Sequence, residues 1–218
     1  MIVGALLARN ENAPDRYLKL VLANMLRYCD RIVALDDGSN DGTAETLRAF
    51  GCDVLEPRQG PYDVSGGFIR GFWGTDEVTP RSRLWEAAMA AAGPDGWVYV
   101  ADADHELVGI TPADLRLCLR SRAVTAWALP LWDVWNEAGT VMREDGYWRG
   151  HLHPRPWFFR NIGQAARWDR TRPGIHTGHA PLNFPIVAGV LPGASIRHWS
   201  YARADHRKAK AERYLALA

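Results

Sequence analysis

The chain has 218 residues, 47% hydrophobic and 23% charged, which is enough for a sizeable core and unlike disordered, collagen-like or low-complexity sequences. Its formal charge of +1 conceals an uneven spread: residues 1–148 carry 22 Asp/Glu against 14 Lys/Arg, whereas residues 149–218 carry 3 against 12, together with six of the seven histidines. Uniform basicity, the footprint of a protein that coats nucleic acid, is excluded, and no apolar run approaches the ~20 residues that span a bilayer.

Ile2–Ala8 is a continuous apolar run of strand length, as expected for a strand covered on both faces. No basic segment precedes it and no convincing small-residue cleavage site follows, so it reads as a first strand and not a signal peptide. Leu18, Val21, Leu22, Met25, Leu26 and Cys29 then recur at helical spacing and predict one apolar stripe packed on a sheet. Arg31–Leu35 reads as a second strand that ends in DDGSNDGT; a short helix begins at Thr43, and Cys52–Leu55 forms a third strand. Residues 57–80 are rich in Gly, Pro and charge, a long loop of the kind compact domains use for function.

Arg83–Ala92 reads as an Ala-rich helix, and Trp97–Ala101 as a fourth strand that runs straight into DADHE. Thr111 and Pro112 open the next helix, with Thr as N-cap, Pro at the first helical position and Asp114 at the third. Val124–Trp132 reads as a further strand. Residues 133–185 place Trp135, Trp148, Trp157 and Trp168 among Arg, His, Gly and Pro with little periodicity. Ala194–Trp199 reads as a late strand and Ala202–Leu217 as a charged helix. The expectation is one domain over residues 1–218, a mostly parallel α/β sheet flanked by helices and followed by an irregular C-terminal region. Three scattered cysteines, Cys29, Cys52 and Cys118, are expected as reduced, buried thiols of a cytoplasmic protein.

Ligands of open parallel sheets bind beyond the carboxyl ends of the strands. Three such ends are polar here: Arg9-Asn10-Glu11, the turn from Asp36 to Asp41, and Asp102-Ala103-Asp104. Carboxylates at the second would repel a phosphate, yet suit a base N–H or ribose hydroxyls; the plainer alternative is that Asp37 and Asp41 only cap a turn and helix. Asp102 and Asp104, two apart on an extended segment, point the same way and repel unless a cation lies between them. All-oxygen ligation suits Mg2+ or Mn2+, which can bridge to a diphosphate.

Taken together, RNE after the first strand, LDDGSNDGT after the second and VYVADADHE at the fourth resemble a family 2 glycosyltransferase of the GT-A fold, with about sixty residues between the DDGS turn and the DxD. REDGYW, RPWFFRN, GIHTGHAP and RHWSYARADHRKAKAERY resemble later segments of small bacterial members. The resemblance implies a nucleotide-sugar-binding half over 1–110 and an acceptor-binding half over 111–218. It implies that Ala8, Arg9 and Glu11 line the base pocket, that Asp37 and Ser39 meet the nucleoside, and that Arg83 faces the donor. Asp104 and His198 would hold the metal with Asp102, and Tyr201 would assist at the diphosphate.

The implied reaction is metal-dependent, inverting transfer of a sugar from a nucleoside-diphosphate donor, with UDP-sugars favoured over GDP-sugars. The acceptor would be a glycan, a lipid-linked glycan or a protein hydroxyl. Candidates for the base are Asp145, Asp133 and His176, with Glu137 behind them; Asp145 is preferred. Relatives carry His-Glu where this chain has His176-Thr177, so a glutamate base does not carry over. A sugar-nucleotide nucleotidyltransferase is the first rival, disfavoured because ARNENAPDR replaces the Gly-rich phosphate loop of that class. A catalytically silent binding module is the second. The HxH of His151 and His153 lacks nearby partners and reads as a polar loop, and His105 reads as exposed. The tryptophans supply either core packing or a platform for sugar rings. The basic C-terminal run reads as a solvated face, with a peripheral contact to anionic membrane as the alternative; no nucleic-acid partner is expected, and a homodimer stays open.

Overall fold

The computed structural model describes residues 1–56, 78–146, 149–168 and 179–215. Its larger sheet has seven strands, and its first four in chain order are parallel: β1 (Ile2–Ala8), β2 (Arg31–Asp36), β3 (Asp53–Leu55) and β4 (Trp97–Asp102), arranged β3-β2-β1-β4. The connecting helices are α1 (Leu18–Tyr28), α2 (Thr43–Ala49) and α3 (Val78–Ala92). Alternation along β1 explains its continuous apolar run. Val3 and Ala5 pack with Leu84, Trp85 and Ala88 of α3, while Ile2 and Leu6 pack with Leu18, Leu22 and Met25 of α1. Both faces are therefore buried, and no polar residue is tolerated on either.

Beyond β4 the sheet continues through β8 (Arg155–Arg160), β6 (Ala126–Leu129) and β9 (Ala188–Val190). β8 runs antiparallel to both neighbours, and the Tyr99 and Phe158 rings stack across the β4–β8 boundary at 4.6 Å. The expected mostly parallel sheet flanked by helices is present, and the α4 helix (Pro112–Cys118) has the predicted cap: the Asp114 amide donates to the Thr111 hydroxyl at 3.2 Å.

A second sheet of three strands, ordered β5-β10-β7, was not anticipated. β5 (His105–Val108) and β7 (Leu131–Asp133) flank β10 (Ser195–His198). The expected single strand Val124–Trp132 is divided at Pro130, so that β6 joins the large sheet and β7 the small one. β8 lies inside the region expected to be irregular; its RPWFFR run lacks alternation because Trp157, Phe158 and Phe159 are all buried, and Pro156 sits at the register shift of β6 and β8. α3 begins five residues before the expected Arg83, with Pro80 in its first turn, where a missing N–H costs no helical bond. A 3-10 turn (Trp199–Tyr201) precedes α5 (Ala204–Leu215). Cys29 and Cys52 are buried and all three thiols are free. Among the described residues, no helix is long and apolar enough to cross a membrane.

Candidate active site

The DxD turn joins the two sheets. Asp102 is the last residue of β4, and His105 opens β5 two residues after Ala103. Antiparallel pairing sets His105 opposite His198 on β10, and parallel pairing sets His198 opposite Asp133 on β7. Side chains directly opposed across neighbouring strands share a face, so His105, His198 and Asp133 form one row beside the turn.

His198 is the centre of that row. Its Nδ1 lies 2.6 Å from Asp133 Oδ1, and its Nε2 lies 3.2 Å from Asp104 Oδ2. Burial alone would lower the basicity of this imidazole; the carboxylates of Asp104 and Asp133 outweigh it and lift the pKa to about 9. Asp104 responds in kind. Burial raises its carboxyl, but His198 and His105 hold it well below the usual carboxylate range. Asp133 is only 2% exposed, and its Oδ2 has no hydrogen-bond partner among the described residues. This buried carboxylate stands behind the His198 imidazole, on the side away from Asp104.

Asp102 keeps different company. Arg81 Nη2 donates to its Oδ1 at 3.1 Å, and His179 Nε2 lies 3.7 Å from its Oδ2. Burial raises this carboxyl too, yet Arg81, His179 and His105 hold it well below its ordinary value. Arg83, the expected donor contact, donates to the Glu56 carbonyl at 3.0 Å. Two residues on a helix differ by about 200°, so Arg81, which meets Asp102, and Arg83 lie on different sides of α3. The sequence reading singles out neither Arg81, which it leaves ahead of the helix, nor His179, which lies within the quoted GIHTGHAP segment. His105, expected to be exposed, is 5% exposed, its ring edge-on to Trp157 at 4.9 Å and to His198 at 5.1 Å. Burial pushes this histidine down to about 4, against the pull of Asp104 and Asp102.

The ends of β1 and β2 form the neighbouring wall. The Asp37 amide donates to the Ala8 carbonyl at 2.9 Å, and Arg9 Nη1 lies 3.5 Å from the buried Asp37 carboxylate. Ser39 accepts from the Asn10 amide at 2.8 Å, and Thr43 from the Glu11 amide at 2.8 Å. Asp41 is spent on the Thr43 and Asn12 amides. These bonds stitch the two strand-end loops together, and Arg9, Asp37 and Glu11 are among the wall's charged groups. Burial pushes the Glu11 carboxyl up to about 7; Arg16 opposes this, while Asp104, Asp41 and Asp102 add to it.

Two sets of donor atoms, Asp104/His105/His198 and Asp102/His105/His179, each lie within 4.8 Å of one another. The carboxylate–imidazole pair of Asp104 and His198, backed by Asp133, fits a divalent ion with mixed O and N ligation. Tyr201 closes the far side, edge-on to His198 at 5.4 Å; Lys210 Nζ lies 4.2 Å above the tyrosine ring and donates to Ser200 Oγ at 2.6 Å.

Asp145 sits in the loop after β7, its side chain 40% exposed and 2.5 Å from Arg143. Glu137 is exposed and faces Arg203 at 3.6 Å. His176 and Trp148 fall outside the described residues. His151 stacks on Trp132 at 4.1 Å and belongs to neither donor set. Trp157 and His179 pack at 4.5 Å, so this tryptophan supports the site from the core.

Comparison with protein-family models and with curated protein sequences returned no match. Among solved structures the chain is similar to TarS 1–349 of S. aureus, at 14% identity and a TM-score of 0.56, over 98% of this chain and 65% of that one. A longer TarS chain aligns over 61% of this chain and 22% of its own length, at 16% identity and a TM-score of 0.42. The mannosyltransferase PcManGT from Pyrobaculum calidifontis, in complex with GDP-Man and Mn2+, aligns at 18% identity and a TM-score of 0.38, over 59% of this chain and 34% of that one. The chain thus spans less than two thirds of the length of each. At these identities the likeness to TarS 1–349 bears on architecture: the chain has the expected GT-A-like fold.

Proposed function

We propose that this chain is a metal-dependent, inverting glycosyltransferase of the family 2 type, which takes its sugar from a nucleoside-diphosphate donor. The carrying observation is the row Asp104–His198–Asp133, held at 3.2 Å and 2.6 Å beside the carboxyl ends of parallel strands. The fold supports the same reading, since a TarS 1–349 structure has been solved with UDP-GlcNAc. Arg9, Glu11 and Asp37 would meet the nucleoside, with Ala8 and Ser39 shaping the wall through their backbone and hydroxyl bonds. Asp104 and His198 would hold Mn2+ or Mg2+, and when bound that ion supplies a positive charge against which the diphosphate leaves.

The chain's own groups do the rest. Asp133 holds the His198 ring so that Nε2 faces Asp104. Arg81 and His179 hold the Asp102 carboxylate, which would meet the donor from the large sheet. Lys210 and Tyr201 add a cation and a phenol beside His198. Of the three preferred bases, Asp145 is the one among the described residues whose carboxylate reaches solvent, and we assign it the acceptor proton. A UDP-sugar is the favoured donor and a glycan, lipid-linked glycan or protein hydroxyl the acceptor.

Calorimetric titration with UDP, GDP, CDP and dTDP, with and without Mn2+, tests this reading. One nucleotide should bind in a metal-dependent way, UDP first, and binding by none removes it. The matching UDP-sugar turnover assay on Asp145→Asn should show near-complete loss of transfer with donor binding kept; a near-normal rate moves the base elsewhere.

A further inference from the structure

His105 belongs to both sets of donor atoms, yet the geometry of its ring denies it a ligand's lone pair. Imidazole Nδ1 lies 3.1 Å from the backbone nitrogen of Asp102, in line to accept its N–H. A backbone amide can only donate, so Nδ1 carries the lone pair and the proton of the neutral ring sits on Nε2. That nitrogen faces Asp104 Oδ1 at 3.6 Å. One nitrogen is thus occupied by the main chain, and the other presents a proton to a carboxylate. Neither is open to a cation.

What the ring does instead is close the turn. Its bond to Asp102 spans three residues of the Asp102–His105 segment and ties the last amide of β4 to the first side chain of β5. Trp157 packs on one edge of the ring and the β5–β10 register fixes it opposite His198. We infer that His105 is a positioning residue that ligates nothing: by accepting the Asp102 N–H and aiming Nε2–H at Asp104, it sets the spacing of the two carboxylates. This rests on the metal-dependent reading above, and it predicts which histidine changes when metal binds.

Two measurements on the full chain test it. In the metal-free protein, long-range 15N–1H correlation should show His105 as the Nε2–H tautomer, and that tautomer should persist when Mg2+ is added, while the His198 ring loses its Nε2 proton. An Nδ1–H tautomer, or a His105 signal that shifts to a metal-bound nitrogen, overturns the inference. Mn2+ affinity is then read by electron paramagnetic resonance for His105→Phe, which keeps the contact with Trp157, and for His105→Asn, whose Oδ1 can replace Nδ1 as acceptor. His105→Phe should weaken Mn2+ by about 10–100-fold, the range for residues that orient ligands, and His105→Asn should recover most of that loss. Equal affinity in wild type and both variants overturns the positioning role. Wild-type protein that binds no Mn2+ at all defeats the metal-dependent reading instead, and the tautomer measurement still decides the state of the ring.

Discussion

Asp102 and Asp104 are two residues apart, yet their partners come from different regions of the molecule. Asp102 ends a strand of the large sheet and is held by Arg81, on the helix that leads into that strand, and by His179. Asp104 faces the small sheet, where His198 and, behind it, Asp133 arrive from strands that begin at Ser195 and Leu131. The Arg81–Asp102 contact is within one helix-to-strand connection. The Asp104 contacts depend on the register of three strands distant in sequence. A one-residue slip of β10 would move His198 to the opposite face of the sheet and leave Asp104 without its partner. The Asp104 side of the turn is therefore a tertiary device, whereas the Arg81–Asp102 contact is local to one connection.

Separating the two carboxylates gives the largest expected effect. Asp104→Asn should abolish measurable Mn2+ binding and lower kcat/KM by about 1,000-fold or more, since it removes a charged ligand where the leaving group develops charge. Asp102→Asn should leave Mn2+ affinity within about tenfold of wild type and weaken the donor instead, because its partners are Arg81 and His179. Paired measurements of Mn2+ affinity and donor KM decide this. Equal loss of metal in both variants would erase the distinction between the two sides.

A smaller effect is expected one step further back. Asp133→Asn keeps the shape of a buried side chain but removes the charge that fixes the His198 ring at 2.6 Å. Mn2+ affinity should fall by about 10–100-fold, with kcat falling less than in Asp104→Asn. If Asp133→Asn instead leaves metal binding untouched while eliminating transfer, Asp133 is the base after all and the row has another purpose.

The same contrast governs what could be read from the sequence. β1, β2 and β4 announce themselves as apolar runs because both of their faces are buried, and the polar residues that follow them mark the site directly. His198 was placed by resemblance to a known family, since nothing in Ser195–His198 shows locally that it meets Asp104. Asp133, a candidate base in the sequence, comes to lie behind His198 because Pro130 splits one apparent strand between two sheets, which no local pattern shows. His105 read as exposed because β5 is four residues long and its burial comes from Trp157 of β8 and from β10. The basic residues of the C-terminal part divide between two uses. Lys210 lies beside the site, whereas Arg207 is spent on the Tyr201 and Ala202 carbonyls and the Trp135 ring.

The mildest test uses pH and no substitution in its first arm. His198 is lifted from 6.5 to about 9 in the folded, metal-free protein, so its contribution to stability is fully present below about pH 6.5 and is lost as pH rises through 9. Glu11, raised from 4.5 to about 7 by burial, has the same sign: stability falls as its carboxyl ionises. His105 is lowered from 6.5 to about 4, so between those values stability rises with pH and opposes Glu11. Above pH 6.5 that opposition ends, and metal-free Tm should fall by roughly 5 °C toward pH 9. Saturating Mn2+ should flatten or reverse the slope, because the ion takes the Nε2 position that the proton holds and binds better as the proton leaves. His198→Gln should flatten it without metal. A metal-free melting profile that is level from pH 6.5 to 9 in the wild type would mean that Asp104 and Asp133 do not hold a proton on His198, and the small sheet would lose the electrostatic coupling that sets it apart from the large one.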